Sequence, residues 1–415
     1  MAKDFITPNS SGDSRGFAGF RRDYLIKFWN PLYSVLFIAL LSAYYFGLTG
    51  SAWAVTGEFT RWAGEILALF GVQTKEWDYF KIIGLEGNIF TRKDGVMIIG
   101  MFLGALIATL WANGFKLRFP KSKTRILQAL IGGIIAGFGA RLGMGCNLAS
   151  FFTGIPQFSL HAWFFTLMSV VGVWVGTKAL MLPMLRSRAT LQSGACAMTP
   201  RKDRSRFSFI LGCVVCVLAF VWIVGLMGQD SYTPKVSKLG IATLLGLLFG
   251  FVIARAQICF TSAFRDLFLT GRALMAKAIV LGMFLSTLGV FGFIMLGVPP
   301  KIVWVGANVL IGGFLFGFGI VIAGGCECGW MYRAMEGQMH YVIVGIGNLI
   351  GSALLAYTWP LYSKALATSY PKINLLESFG NYGGLLANYI LLGLFLGLII
   401  LIERKVRKNT LKGIQ

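Results

Sequence analysis

Residues Ile131–Cys146 read IGGIIAGFGARLGMGC, and residues Ile311–Cys326 read IGGFLFGFGIVIAGGC. At an offset of 180, eight of the sixteen positions are identical, including the closing cysteine. The correspondence reaches further. Gly100–Leu103 (GMFL) recurs at Gly282–Leu285, and His161, fifteen residues after Cys146, is echoed by His340, fourteen after Cys326. Self-similarity of this kind marks a duplicated unit, and in apolar chains it marks a repeat whose interface lies near the bilayer midplane.

The composition agrees with a membrane setting. Of 415 residues, 56% are apolar or aromatic and 13% charged, with 53 glycines, and the mean hydropathy is +0.72. Apolar runs occur at 31–49, 52–71, 95–112, 126–142, 160–184, 207–228, 239–254, 275–297, 303–323, 341–359 and 383–402. A helix of about 20 apolar residues crosses a hydrocarbon core of about 30 Å. These eleven runs predict an all-α polytopic membrane protein built from two pseudo-symmetric, inverted repeats of about five helices with short or re-entrant segments. The expected organisation is an N-terminal segment 1–30, a first repeat 31–184, a basic linker 185–206, a second repeat 207–359, a connecting segment with an extra C-terminal span 360–402, and a basic tail 403–415. The run 52–71 is the weak one. It carries Glu58, Arg61 and Glu65 at helical spacing, which suits a helix facing protein with its charges paired along one face.

The net charge of +22 points in a soluble chain to nucleic acid, but here the basic residues sit in short loops, where topology explains them. The most basic connections are Lys116, Arg118, Lys121, Lys123 and Arg125, then Arg186–Arg206, then Arg404–Lys412. Eleven crossings place all three in the cytoplasm when the N-terminus is periplasmic and the C-terminus cytoplasmic. The dissenting feature is the N-terminal segment, with Lys3, Arg15, Arg21, Arg22 and Lys27 among three acids. That segment has no short apolar core with a small-residue cleavage site, so no removable signal peptide is expected.

Seven cysteines, most of them within or beside apolar runs, do not suggest a disulfide scaffold. Cys146 and Cys326 are matched by the repeat and end Gly-rich runs. Cys259, in Arg255–Arg272 (RAQICFTSAFRDLFLTGR), has polar neighbours Gln257, Thr261 and Ser262 but maps near Trp77–Tyr79 without a twin. These three are the candidate site thiols. Cys213 and Cys216 read as buried packing, and Cys196 carries no assignment. Cys328 suggests half of a metal site, but a closed zinc site needs four ligands and no second pair is suitably spaced. Arg141, Arg255, Arg265, Asp266, Glu327, Arg333 and Glu336 are ionisable groups near these cysteines, costly at membrane depth and therefore candidate supporting residues. His161 and His340 suit either proton relays or anchors of helix ends, with the anchoring role favoured.

Gly139–Phe165 (GARLGMGCNLASFFTGIPQFSLHAWFF), Arg255–Arg272 and Gly317–Gln338 (GFGIVIAGGCECGWMYRAMEGQ) closely resemble the YeeE/YedE family of bacterial inner-membrane transporters for inorganic sulfur compounds, in particular its YedE branch, associated with selenium metabolism. The resemblance runs from about Phe28 to Glu403. It implies an hourglass-like channel with thiols along the path, taking up thiosulfate in the best-understood members, and it carries these thiols onto Cys146, Cys259 and Cys326. The thiosulfate members also suggest an early cysteine in the first half, which has no counterpart here before Cys146. A cytosolic sulfur carrier of the TusA type is the partner the resemblance implies.

The expected function is import of a small inorganic sulfur or selenium anion through neutral thiols, which hydrogen-bond a polarisable atom weakly enough to release it. No enzymatic activity and no cofactor are expected. The alternative is a membrane thiol oxidoreductase or redox-relay subunit using the same cysteines.

Overall fold

The computed structural model of the chain describes residues 21–182, 205–232 and 238–412; Cys196 and most of the basic linker lie outside them. The labelled helices are α1 (Pro31–Thr49), α2 (Thr56–Leu69), α3 (Lys93–Trp111), α4 (Lys123–Leu142), α5 (Leu160–Met181), α6 (Ser205–Tyr232), α7 (Leu239–Ala256), α8 (Phe260–Thr270), α9 (Leu274–Met295), α10 (Ala307–Ala323), α11 (Glu327–Met335), α12 (Met339–Thr358) and α13 (Asn381–Lys412). Among the described residues there is no β-strand, and ten helices are long and apolar enough to cross a membrane. The protein is therefore an all-α, multi-pass membrane protein.

Local sequence sets the helix boundaries. α1 begins where the Asn30 side chain accepts from the Leu32 amide at 2.9 Å, with Pro31 in the first turn, and ends at Gly50 with φ of 66°. The run 52–71 does not become a span. It folds as the 14-residue α2, which at 1.5 Å per residue is about 21 Å long. Glu58 is fully buried and receives Arg92 at 2.6 Å and Arg61 at 3.1 Å, while Glu65 pairs with Arg92 at 2.7 Å. The charges expected to pair along α2 itself thus pair mainly across to Arg92, at the start of α3. Eleven apolar runs therefore yield ten candidate spans.

Much of the packing recurs when α1 is exchanged with α7, α2 with α8, α3 with α9, α4 with α10, α5 with α12 and α6 with α13, although α8–α13 and α6–α7 have no exchanged pair of comparable extent. The pair α3–α7 maps onto α9–α1, α4–α12 onto α10–α5, α2–α12 onto α8–α5, and α6–α3 onto α13–α9, while α4 and α10 pack on each other. At the repeat-matched Gly137 and Gly317, a Cβ would collide with the backbone carbonyls of Asn348 and Ser169. Only glycine lets these backbones come so close. The matched histidines share a task as well. His161 donates from Nε2 to the Gly143 carbonyl at 2.6 Å, and His340 to the Ala323 carbonyl at 2.9 Å, so each ties the N-terminus of one helix to the end of a Gly-rich one.

Three chambers open on two faces. One, of about 300 Å³, is walled by Arg61, Tyr79, Asp94, Arg141, Lys301 and Lys372. The second, of about 400 Å³, is lined by Arg125, Arg265, Asp266, His340 and Tyr341. The third, of about 370 Å³, is lined by Phe28, Lys116, Arg118, Gln257 and Glu336. α4 runs from Arg125 in the second chamber to Arg141 in the first, and α3 runs from Asp94 in the first to Ala112 in the third. The first chamber therefore opposes the other two across the bundle. Around the third, the Arg255 guanidinium donates to the carbonyls of Ile26 and Lys27, and the backbone of Lys116 and Arg118 pairs with Glu336 and Gly337. The described start of the chain and the loop after α3 thus share one face.

Candidate functional site

Three cysteines sit where helices break between these chambers. Each is preceded at the second position by a residue with left-handed backbone: Met144 (φ 50°) before Cys146, Gln257 (φ 53°) before Cys259 and Gly324 (φ 83°) before Cys326. The reversal stops the preceding helix and starts a short one, of which the cysteine is the N-cap: a six-residue π-helical turn at Asn147–Phe152, the 11-residue α8 and the 9-residue α11. All three thiols are fully buried. α8 and α11 point their positive ends at the sulfurs, an arrangement that favours negative charge beside them. A non-glycine residue in left-handed conformation costs roughly 1–2 kcal/mol. Met144→Gly is therefore expected to raise stability by roughly 1 kcal/mol, read as a higher unfolding temperature of the detergent-solubilised protein.

The sulfurs form a short line. Cys259 Sγ lies 3.7 Å from Cys326 Sγ, which lies 3.3 Å from Cys328 Sγ. Toward the second chamber, Arg333 donates to the Gly324 carbonyl at 3.2 Å and to Tyr341 Oη at 2.7 Å, which places a cation between the thiol pair and that chamber. Toward the first chamber stands Glu327, next in sequence to Cys326. Asn348 donates to its Oε1 at 3.3 Å, Arg141 Nη2 lies 3.7 Å from the same oxygen, and Cys146 and Thr56 adjoin the carboxylate. In the first chamber itself, burial lowers the Lys301 ammonium below the usual lysine value, with Asp94 opposing that shift and Arg61 and Arg141 adding to it. Thiols, guanidinium groups and helix N-termini in one line can bind a small anion with a soft atom at several weak positions.

A family model described as "Sulphur transport" matches residues 6–175 and 255–414. The chain belongs to this family. It is 57% identical over 389 residues, 93% of this chain and 95% of the relative, to the "Probable transporter YedE" of Escherichia coli, and to the same degree to that of Salmonella typhimurium. Shorter matches reach two proteins named "Thiosulfate transporter TsuA". That of Spirochaeta thermophila is 42% identical over 81 residues (20% of this chain, 24% of the relative), and that of Escherichia coli is 34% identical over 131 residues (31% and 34%). Membership of the sulphur-transport family and the transporter relatives together identify a transporter of sulfur compounds.

Within this sulphur-transport fold the sequence-derived candidates divide. Cys146, Cys259, Cys326, Arg141, Glu327 and Arg333 come together around the starts of the short helices. Arg265 pairs with Asp266 at 2.9 Å in the second chamber, and Glu336 accepts from Gln257 at 2.7 Å in the third. Arg255 also lines the third chamber, where its guanidinium holds the carbonyls of residues 26 and 27. Sequence reasoning left Cys328 unassigned and missed Arg61, Lys301 and Lys372, which come to the first chamber from three separate segments. It also mapped Cys259 onto Trp77–Tyr79. In the packing exchange, the N-cap of α8 corresponds to the N-cap of α2, which is Val55.

Proposed function

We propose that the protein imports a thiosulfate-like sulfur oxyanion, or its selenium analogue, from the first chamber past Cys146, Cys326 and Cys259 to the second. The observation that supports this reading is three buried thiols at the caps of short helices, with Cys146 beside Glu327 and Arg141 of the first basic chamber and Cys259 and Cys326 beside Arg333, which is bonded to Tyr341 of the second. Neutral thiols give hydrogen bonds weak enough to pass the anion on. Uptake of labelled thiosulfate into proteoliposomes tests the reading: accumulation above empty vesicles supports it, and no accumulation by folded protein overturns it.

The face with residues 26–29, the loop 116–125 and the end of α13 is proposed as the cytoplasmic face of the bacterial inner membrane. Ten crossings put both ends on one side, so the N-terminal basic residues join the other basic segments there. This replaces the arrangement with opposed termini, which rested on 52–71 as an eleventh crossing. In this topology α1 to α6 and α7 to α13 form two inverted units of five spans each, and α13 is the counterpart of α6. A reporter fused after Arg118 and another at the N-terminus are both expected to read cytoplasmic; a periplasmic signal from either rejects this topology. A carrier protein of the TusA type is proposed to dock on the same face, and thiosulfate use unchanged in cells lacking every such carrier argues against that partner.

A further inference from the structure

Arg141 and Glu327 form a buried ion pair that is poorly made. Both side chains are nearly inaccessible, 4% and 3% exposed, yet their nearest atoms are 3.7 Å apart, against about 2.7–2.9 Å for a charge-assisted hydrogen bond. Arg141 Nε and Nη2 and Glu327 Oε2 find no hydrogen-bond partner among the described residues. Two charges removed from water in this way repay little of their desolvation. Arg141 is also in the wall of the first chamber, where Arg61 and Lys301 add positive charge, whereas Glu327 lies behind it. A guanidinium in the wall of a basic chamber, with buried donors left unused on the side of Glu327, has the donor pattern that oxyanions take in bidentate fashion.

We infer that Arg141 is the docking residue for a dianionic sulfur oxyanion, that Glu327 is its resting counter-ion, and that docking displaces the carboxylate and draws one proton onto it. The inference rests on the transport reading above and adds a proton to it. The balance is simple: Glu327 carboxylate plus one proton from the water of the chamber gives the carboxylic acid, with no bond to the anion made or broken. The surroundings of Glu327 require it. Arg141 comes from α4, Cys146 from the start of the π-helical turn, Thr56 from α2 and Asn348 from α12. α3 presents Phe102 to Trp330 of α11, and Gln257, at the end of α7, is taken by Glu336. Arg141 is therefore the cation beside the carboxylate, and once a dianion occupies it, a charged Glu327 stands uncompensated next to more negative charge.

The test is thiosulfate binding to the full-length protein in detergent, by titration calorimetry in buffers of different ionisation enthalpy, across mildly acidic to mildly basic pH. The unsubstituted protein is expected to take up close to one proton per thiosulfate, with affinity weakening by up to about tenfold per pH unit as pH rises. Glu327→Gln mimics the protonated acid. It is expected to bind at every pH with no proton uptake and no pH slope, and more tightly than the unsubstituted protein at the basic end. Arg141→Gln is expected to lose binding; Arg141→Lys, which keeps the charge without the fork and serves if the first variant fails to fold, is expected to bind at least about tenfold more weakly. Thiosulfate binding without proton uptake, or uptake that survives in Glu327→Gln, overturns the inference while leaving the transport reading in place. No thiosulfate binding by the folded unsubstituted protein overturns both.

Discussion

Cys326→Ala is expected to cut thiosulfate uptake into proteoliposomes by about ten- to hundredfold, the worth of one hydrogen bond to a charged ligand at about 1.5–3 kcal/mol. Cys326 touches both neighbouring sulfurs, Cys259 at 3.7 Å and Cys328 at 3.3 Å, so its loss interrupts the line at its centre. Folding survives, because one sulfur at a helix cap is removed and the left-handed Gly324 that shapes the turn remains. Serine separates two chemistries. Its hydroxyl keeps a donor, so a path of neutral donors retains part of the uptake in Cys326→Ser, whereas a covalent or redox relay loses as much as with alanine. Cys213→Ala, on α6 and away from the chambers, is expected to transport normally. If alanine at Cys146, Cys259 and Cys326 together leaves uptake intact, the thiols do not form the path.

Gly317→Leu is expected to abolish the fold rather than the chemistry. A Cβ at that position meets the Ser169 carbonyl of α5, a backbone atom that cannot rotate aside. Forcing α10 and α5 apart also loosens α10 from α4, which it packs on along the same Gly-rich stretch. Overpacking typically costs 1–3 kcal/mol, and a clash against backbone falls at about 3 kcal/mol or above. Size-exclusion profiles and unfolding temperature in detergent report it. A monodisperse protein with unchanged unfolding temperature would show that the α10–α5 approach tolerates a side chain.

Part of this architecture was legible because it was written twice. Cys146 and Cys326 stood out through the matched Gly-rich stretches, and the structure gives both the same position after a left-handed residue. The error over 52–71 has a physical origin. Hydropathy averages over α2 without registering that Glu58 is bound to Arg92 from another helix, and a charge so paired no longer marks a solvated end. Sequence proximity of Arg255 to Cys259 says nothing about which way its side chain leaves the last turn of α7, and in the structure it reaches the carbonyls of residues 26 and 27 at the third chamber. The first chamber was out of reach for the same reason. Arg61 reads from sequence as a paired charge on one helix face, and Lys301 and Lys372 as isolated charges, until the fold sets all three around one space. Cys328 needed the third dimension too, since only the start of α11 brings its sulfur against that of Cys326.

The short helices have a consequence for transport energetics. A dianion carried through an unbroken hydrocarbon slab of about 30 Å meets a prohibitive self-energy barrier. Here the low-dielectric region is pinched from both sides, with polar cavities reaching inward to Arg141 on one face and toward Arg333 on the other. On the proposed path the dehydrated passage shrinks to the few side chains between those two cations, and the membrane's capacitive thickness would be locally reduced with it. Along that path, any voltage across the bilayer would fall mostly over the sulfurs, and the field would act on the moving charge there.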